Sequence, residues 1–137
     1  MDAVFLEWLW RASPLGERGE RAAAKYLRRR RYLIVDRGFR TAEGEIDLVA
    51  VQHRTIVFVE VKTRRCNVGA GPLAAVTREK QRRISRTALV YLKQNDLLAC
   101  ATRFDVMGII WPRGQRQPDV IHVENAFEPL GTTSFFF

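Results

Sequence analysis

Apolar residues recur with a helical period in the first part of the chain. Residues 13–31 are rich in Ala, Leu, Glu and Arg, and Ser13 stands before a proline as a helix cap would, so we predict a long helix there. Ala23 and Ala24 stand three and four residues after Glu20, which is a helical spacing. We therefore expect Glu20 on the face of the helix that docks through small residues.

A strand-like alternation of apolar and polar residues follows. Residues 32–40 predict a first strand with a bulge or turn near Gly38. Two further segments, 45–51 and 55–62, are rich in Val, Ile and Phe, and a short polar connection at residues 52–54 joins them. These two segments are therefore predicted to form a β-hairpin.

The second half of the chain returns to helical periodicity and then to strands. Residues 72–95 predict a long amphipathic helix whose apolar face is separate from a row of arginines. Residues 103–110 and 120–123 predict two more strands, with the turn-prone segment 112–118 between them. This order of elements predicts an α/β (α+β) fold with a central mixed β-sheet flanked by α-helices. The apolar face of the second helix consists of Val76, Ile84, Ala88, Tyr91 and Leu92.

Length and composition are typical of one domain that binds a polyanion. We expect residues 1–137 to form a single domain with a core at about residues 14–128, between a short apolar N-terminal segment and a C-terminal tail. The formal charge of +8 favours nucleic acid as the partner, ahead of an anionic membrane surface or a basic surface that serves solubility alone.

The expected location is the cytoplasm. Cys66 and Cys100 lack the spacing of a zinc site, so free thiols in a reducing compartment are the simplest interpretation. The apolar run at the N-terminus is too short for a transmembrane span or a signal peptide, and no membrane partner is expected.

Alternation of side chains along the hairpin predicts which residues meet. Neighbouring residues of a strand point to opposite faces, so burying the apolar residues of both strands on one side fixes their register. A tight turn at residues 53–54 gives that register and sets Asp47 opposite Glu60. The same register sets Glu45 opposite Lys62. The set buried together would be Ile46, Leu48, Val57, Val59 and Val61.

The facing carboxylates of Asp47 and Glu60 predict a metal site, because two like charges repel unless a cation, a proton or water intervenes. Mg²⁺ would relieve the repulsion, since it commonly uses one or two carboxylates together with water and phosphate oxygens. Lys62 would then be placed to hold a phosphate oxygen, which predicts a phosphodiester hydrolase. The alternative is a solvated end of the hairpin with an ordinary ion pair between Glu45 and Lys62.

Residues outside the hairpin are candidates to support this site. Glu20 is a candidate further ligand, although a helix-surface glutamate among arginines is usually a solvated ion-pair partner. Lys80 shares a stripe with Val76 and Ile84, so its stem should lie on the packed side of the second helix. Lys80 or Gln81 is a candidate substrate contact, and the alternative for Lys80 is an ordinary snorkelling lysine.

An acidic residue in one strand, followed by Glu-Val-Lys in the next, resembles the PD-(D/E)xK nuclease superfamily. More specifically, the chain resembles the YraN family of predicted endonucleases, which are distantly similar to archaeal Holliday junction resolvases. The resemblance covers most of the chain from Gly16 to Phe127. Its matching stretches include GERGE at residues 16–20, GEIDL at 44–48, FVEVKTR at 58–64, KQRR at 80–83, RFDV at 103–106 and NAF at 125–127.

This resemblance implies a restriction-endonuclease-like fold and dependence on Mg²⁺, for which Mn²⁺ would substitute. The chain departs from the family pattern at Ala70, where Phe is often found, and at Gly38, where Asn is common. Neither position is a proposed ligand. The implied catalytic residues are Asp47, Glu60 and Lys62, and the implied metal-site residues are Asp47, Glu60, Val61 and Glu20.

We therefore expect a Mg²⁺-dependent endonuclease acting on DNA, with branched or repair and recombination intermediates as candidate substrates. A junction-cutting enzyme would need paired active sites, so a homodimer is a candidate, and no organic cofactor is expected. The alternative is a nucleic-acid-binding adaptor that keeps the fold without catalysis, whereas the charge and the adjacent lysine disfavour a sugar hydrolase. Backbone phosphates would be bound by residues 28–31 and by Arg64, Arg78, Arg82, Arg83 and Arg86.

Overall fold

The computed structural model describes residues 14–67 and 69–131, and its elements follow the predicted order. Ser13 and the apolar segments at both ends of the chain lie outside the described residues. The elements are helix α1 (Pro14–Arg29), strands β1 (Leu33–Thr41), β2 (Gly44–Gln52) and β3 (Thr55–Arg64), a short 3-10 helix (Leu73–Ala75), helix α2 (Arg78–Gln94), and strands β4 (Ala101–Ile110) and β5 (Asp119–Val123).

The described strands form one mixed sheet in the order β1-β2-β3-β4-β5, in which β3 and β4 are the parallel pair. Helix α2 lies in the connection between these two strands, as a parallel crossover requires. On one face of the sheet, Leu27 of α1 packs with Val59, and on the other face Ala88 of α2 packs with Phe58. The predicted α/β class is confirmed. Within the described residues, no helix is both long and apolar enough to cross a membrane.

Helix α2 begins six residues later than predicted. Val76 is extended (φ −102°, ψ 92°), which separates the 3-10 helix from α2. Thr77 then caps α2, because its side chain accepts a hydrogen bond from the backbone N–H of Lys80 at 3.2 Å. The prediction of one continuous helix from residue 72 is therefore wrong at its start. Val76 is buried with the α2 face, and for that reason it fitted the helical pattern.

Strand β1 is distorted earlier than predicted. Its register against β2 shifts between Ile34 and Asp36, so Val35 is the extra residue. Gly38, near which we predicted a bulge or turn, has φ +60°, a left-handed conformation that glycine adopts without steric cost. The residues on both sides of Gly38 nevertheless keep one register with β2.

The hairpin between β2 and β3 has the predicted register from its turn to Leu48 and Val59, and the predicted pairs Asp47–Glu60 and Glu45–Lys62 lie beyond this ladder. His53 and Arg54 both have positive φ, 48° and 63°, as a two-residue type I′ turn requires. Gln52 therefore pairs with Thr55, and the antiparallel pairing continues to Leu48 and Val59. Beyond that pair the ladder between β2 and β3 ends.

The expected burial of Ile46 beside Leu48 is wrong. Leu48 packs in the cluster under α1 with Val57, Val59 and Val61, but Ile46 packs in the cluster under α2. The prediction assumed a regular pleat along all of β2, and β2 leaves the ladder with β3 after Leu48.

Asp105 of β4 ties the α1 face of the sheet to β5. Its buried carboxylate accepts hydrogen bonds from Arg103 (2.9 and 3.0 Å), from Nε2 of His122 (2.7 Å) and from the backbone N–H of Asn125 (3.0 Å). Arg103 also donates a hydrogen bond at 2.8 Å to the hydroxyl of Tyr32, the residue just before β1. Burial alone would raise the pKa of Asp105, but these hydrogen bonds outweigh it and hold the pKa below its ordinary value.

Replacing Asp105 by Asn should destabilise the protein by about 3 kcal/mol at neutral pH, because the partly buried side chains of Arg103 and His122 lose their charged partner. The carboxylate has a lowered pKa in the folded state, so its stabilisation is present above the ordinary value of 3.8 and is lost as the pH falls through the lower folded value. Urea unfolding of both proteins, from neutral pH to below pH 3.8, should therefore show a difference in the free energy of unfolding that shrinks in acid. A difference that stays constant down to the acid limit would contradict this account.

Candidate metal site and its basic surroundings

Asp47 is buried at the point where β2 leaves its ladder with β3. The residue is 1% exposed, and its Oδ2 accepts a hydrogen bond from the backbone N–H of Val61 at 2.8 Å. This bond joins the two strands beyond their last ladder pair. The structure thereby brings the Asp47 carboxylate to the Glu60-Val61-Lys62 segment of β3.

Glu60 lies between two lysines. It is 2% exposed, and its Oε1 is 3.1 Å from Nζ of Lys80 and 3.6 Å from Nζ of Lys62. Both lysine side chains are largely buried. Residues 60 and 62 share a strand face, whereas Lys80 comes from the first turn of α2. One carboxylate oxygen therefore has ammonium groups from two different elements beside it.

The environment of Lys80 disfavours its charge more than that of an ordinary surface lysine. Burial lowers the pKa of Lys80 to about 8, and the Arg83 guanidinium acts in the same direction. The Glu60 carboxylate favours the charged form and works against this shift. Lys80, a candidate substrate contact in the sequence, is thus part of the same buried group as Glu60.

The other two residues expected to support the site are Gln81 and Glu45. Gln81 donates from Nε2 to the carbonyl oxygen of Val76 at 3.1 Å and so fastens the turn before α2. Glu45, expected opposite Lys62, forms an ion pair with Arg40 of β1 at 3.1 Å. The pairing of β2 with β3 ends before it reaches Glu45.

Helix α1 packs closely on β3 at Gly19, a residue whose role the sequence pattern did not predict. A Cβ atom on Gly19 would overlap Oγ1 of Thr63, which is the residue after Lys62. This close approach places half-buried Glu20 in the part of α1 that packs on the end of β3. A glycine inside a predicted helix is a signal of such close packing.

The donor set of the site suits a hard divalent ion. Asp47 and Glu60 offer carboxylate oxygens, and Mg²⁺ commonly takes one or two carboxylates and completes its shell with water and phosphate oxygens. Within residues 14–67 and 69–131, no group of three or more His, Cys, Asp or Glu side chains is placed to hold a metal ion. A role for Glu20 as a third ligand therefore stays a prediction.

Several of the predicted phosphate-binding arginines line one groove of about 710 Å³ between the β1–β2 turn and α2. Within the groove, Arg83 pairs with Glu79 at 3.3 Å and Arg86 pairs with Glu43 at 3.6 Å. The arginines that line it are Arg82, Arg83 and Arg86, whereas Arg64 and Arg78 are exposed outside its lining.

The family model and the relatives that this chain resembles all carry the same family description. The model of a family described as "Uncharacterised protein family UPF0102" matches residues 19–109. A UPF0102 protein from Geobacter metallireducens is 53% identical over 115 residues, which cover 83% of this chain and 92% of the relative. One from Geotalea uraniireducens is 48% identical (83% and 89% covered), and one from Rhodopirellula baltica is 45% identical (89% and 75% covered). The chain therefore belongs to the UPF0102 family, which is the YraN family.

Replacing Gly19 by Ala should destabilise the protein by about 1 to 3 kcal/mol, because the new methyl group overlaps the Thr63 side chain. The better helix propensity of alanine opposes this effect by at most about 1 kcal/mol. Urea unfolding of Gly19→Ala, Thr63→Ala and the double variant measures the coupling, and the double variant should recover part of the loss. A Gly19→Ala protein at least as stable as the wild type would show that α1 does not approach β3 this closely.

Proposed function

We propose that this member of the UPF0102 family is a Mg²⁺-dependent endonuclease of the PD-(D/E)xK superfamily, with a restriction-endonuclease-like fold, that hydrolyses phosphodiester bonds in DNA. The observation that carries the proposal is the buried hydrogen bond between Asp47 and the Val61 amide. It brings a second carboxylate to a strand segment that already carries Glu60 and Lys62. Two carboxylates and an ammonium group together provide ligands for a hard cation and a partner for a phosphate oxygen.

The side chains divide the chemistry between them. Asp47 and Glu60 would hold Mg²⁺, or Mn²⁺ in its place. When bound there, the ion would neutralise phosphate charge and lower the pKa of water. Lys62 would donate a hydrogen bond to a phosphate oxygen, where negative charge grows during the reaction. Hydrolysis adds the oxygen of one water to phosphorus, breaks one P–O ester bond and leaves the two protons of water on the products.

A polyanionic substrate suits the charge of the chain. The chain carries a formal charge of +8, and Arg82, Arg83 and Arg86 line a groove on the same helix that supplies Lys80. Arginine forks are suited to phosphate oxygens. These contacts would provide affinity without sequence choice, so binding should weaken steeply with salt.

A nucleic-acid-binding adaptor without turnover is the second candidate function. It is favoured by the contacts of Glu60, whose Oε1 lies 3.1 Å from Nζ of Lys80 and 3.6 Å from Nζ of Lys62, so that amines of the chain itself neutralise this buried carboxylate. In that case the buried carboxylates and lysines would serve stability, and the arginine groove would be the functional surface.

The two candidates are separated by Lys62→Met. The proposed endonuclease should cleave plain, nicked or four-way DNA with Mg²⁺ or Mn²⁺, and Lys62→Met should lower the rate by roughly 10²-fold or more, because one donor to the developing charge is lost. Lys93→Met, which removes a lysine from the exposed end of α2, is the matched control and should cleave like the wild type.

DNA binding without metal is measured on the wild type and on the Asp47→Ala and Glu60→Ala variants. Binding that falls with salt and survives Asp47→Ala and Glu60→Ala, without metal-dependent cleavage by the wild type, would contradict the endonuclease and support the adaptor. Cleavage by Lys62→Met at the wild-type rate would also contradict the role given to Lys62.

A further inference from the structure

The Lys80 ammonium lies where a divalent ion bound to Glu60 would compete with it. Its Nζ is 3.1 Å from Glu60 Oε1, closer than Nζ of Lys62 at 3.6 Å. Lys62 is held near Glu60 by the strand that carries both. Lys80 reaches the same oxygen from another element, at the end of a flexible four-carbon stem.

The charges of these four side chains already balance without an ion. When ionised, Asp47 and Glu60 carry two negative charges, and Lys62 and Lys80 carry two positive charges. A divalent ion beside Glu60 would be repelled by both ammonium groups. In this buried environment the repulsion is screened less than in water. The repulsion between the ion and the ammonium groups falls if one ammonium group moves to another anion.

Lys80 is better placed to move than Lys62. Packing fixes α2 itself, because Ile84 and Ala88 are buried against the sheet and Thr77 caps the first turn. A turn of the Lys80 side chain away from Glu60 would therefore leave the helix in place. On the same helix, Arg82 and Arg83 line the groove in which phosphates would lie.

We propose that Lys80 is a built-in competitor of the divalent ion, which holds Glu60 in the metal-free protein and passes to a phosphate oxygen of the nucleic acid when the ion binds. This inference rests on the proposed function, since it needs the same ion and the same substrate. The phosphate offers the ammonium group a new partner and so favours the ion. By thermodynamic linkage, nucleic acid and ion strengthen each other's binding by the same factor.

Calorimetric titration of the full chain with Mn²⁺, without nucleic acid, tests the competition. Lys80→Met should bind Mn²⁺ about tenfold more tightly than the wild type, within the roughly 5- to 150-fold range of coupled sites. Lys80→Arg keeps the charge and should bind as weakly as the wild type. Lys93→Met loses one exposed lysine from the same helix and should stay within about twofold of the wild type, because solvent screens that charge.

A second titration adds a phosphorothioate DNA duplex, which resists hydrolysis. The duplex should tighten Mn²⁺ binding to the wild type more than to Lys80→Met, in which the competition is already absent. Circular dichroism checks that each variant is folded. Lys80→Gln, which keeps a donor without the charge, supplies the comparison if Lys80→Met does not fold.

The outcomes are distinguishable. Equal or weaker Mn²⁺ binding by the uncharged Lys80 variants, beside measurable binding by the wild type, overturns the competition and leaves the proposed metal site standing. Tighter binding by Lys93→Met to the same extent also overturns it, because net charge alone would then be the cause. Absence of Mn²⁺ binding by every variant, with and without DNA, overturns the proposed function and this inference with it.

Discussion

At the end of the β2–β3 ladder, the Val61 amide donates its hydrogen bond to the Asp47 carboxylate rather than to a backbone carbonyl. Buried amides need an acceptor, and a buried carboxylate costs several kcal/mol unless donors or opposite charges surround it. The bond meets both needs and ends the regular pairing of the two strands. Because it also joins β2 to the segment with Glu60 and Lys62, the candidate site depends on it.

Close packing brings the rest of the protein to this point. Gly19 lets α1 approach Thr63. Gly108, which pairs with Lys62 in the parallel ladder, leaves room for Pro72, because a Cβ atom on residue 108 would lie only 2.9 Å from the Pro72 ring. The segment before α2 therefore crosses β4 beside Lys62. Thr77 then caps α2, and Lys80 in its first turn reaches Glu60. Lys62 of β3 and Lys80 of α2 thus both lie close to the Glu60 carboxylate.

The periodic placement of apolar residues along the sequence predicted the helices and strands that are regular. The two-residue turn and the alternation along the hairpin were enough for its register, which Gln52 and Thr55 confirm. The same reasoning failed at Ile46, because alternation says nothing about where a strand leaves its ladder. The contact of Lys80 with Glu60 depends on how α2 packs across the sheet, which no local pattern specifies. The Asp105 network was missed although a charged residue between apolar neighbours in a strand was its signal.

We propose that Asp47 and Glu60 together bind one divalent ion. Anomalous diffraction from a crystal soaked in Mn²⁺ tests it directly, since manganese is located by its own scattering and needs no assumption about substrate. We expect a single strong peak with oxygens of both Asp47 and Glu60 at about 2.1 Å, the distance expected for a small hard divalent ion. A soaked crystal with no peak there, or with manganese bound elsewhere while Lys80 stays on Glu60, would contradict it.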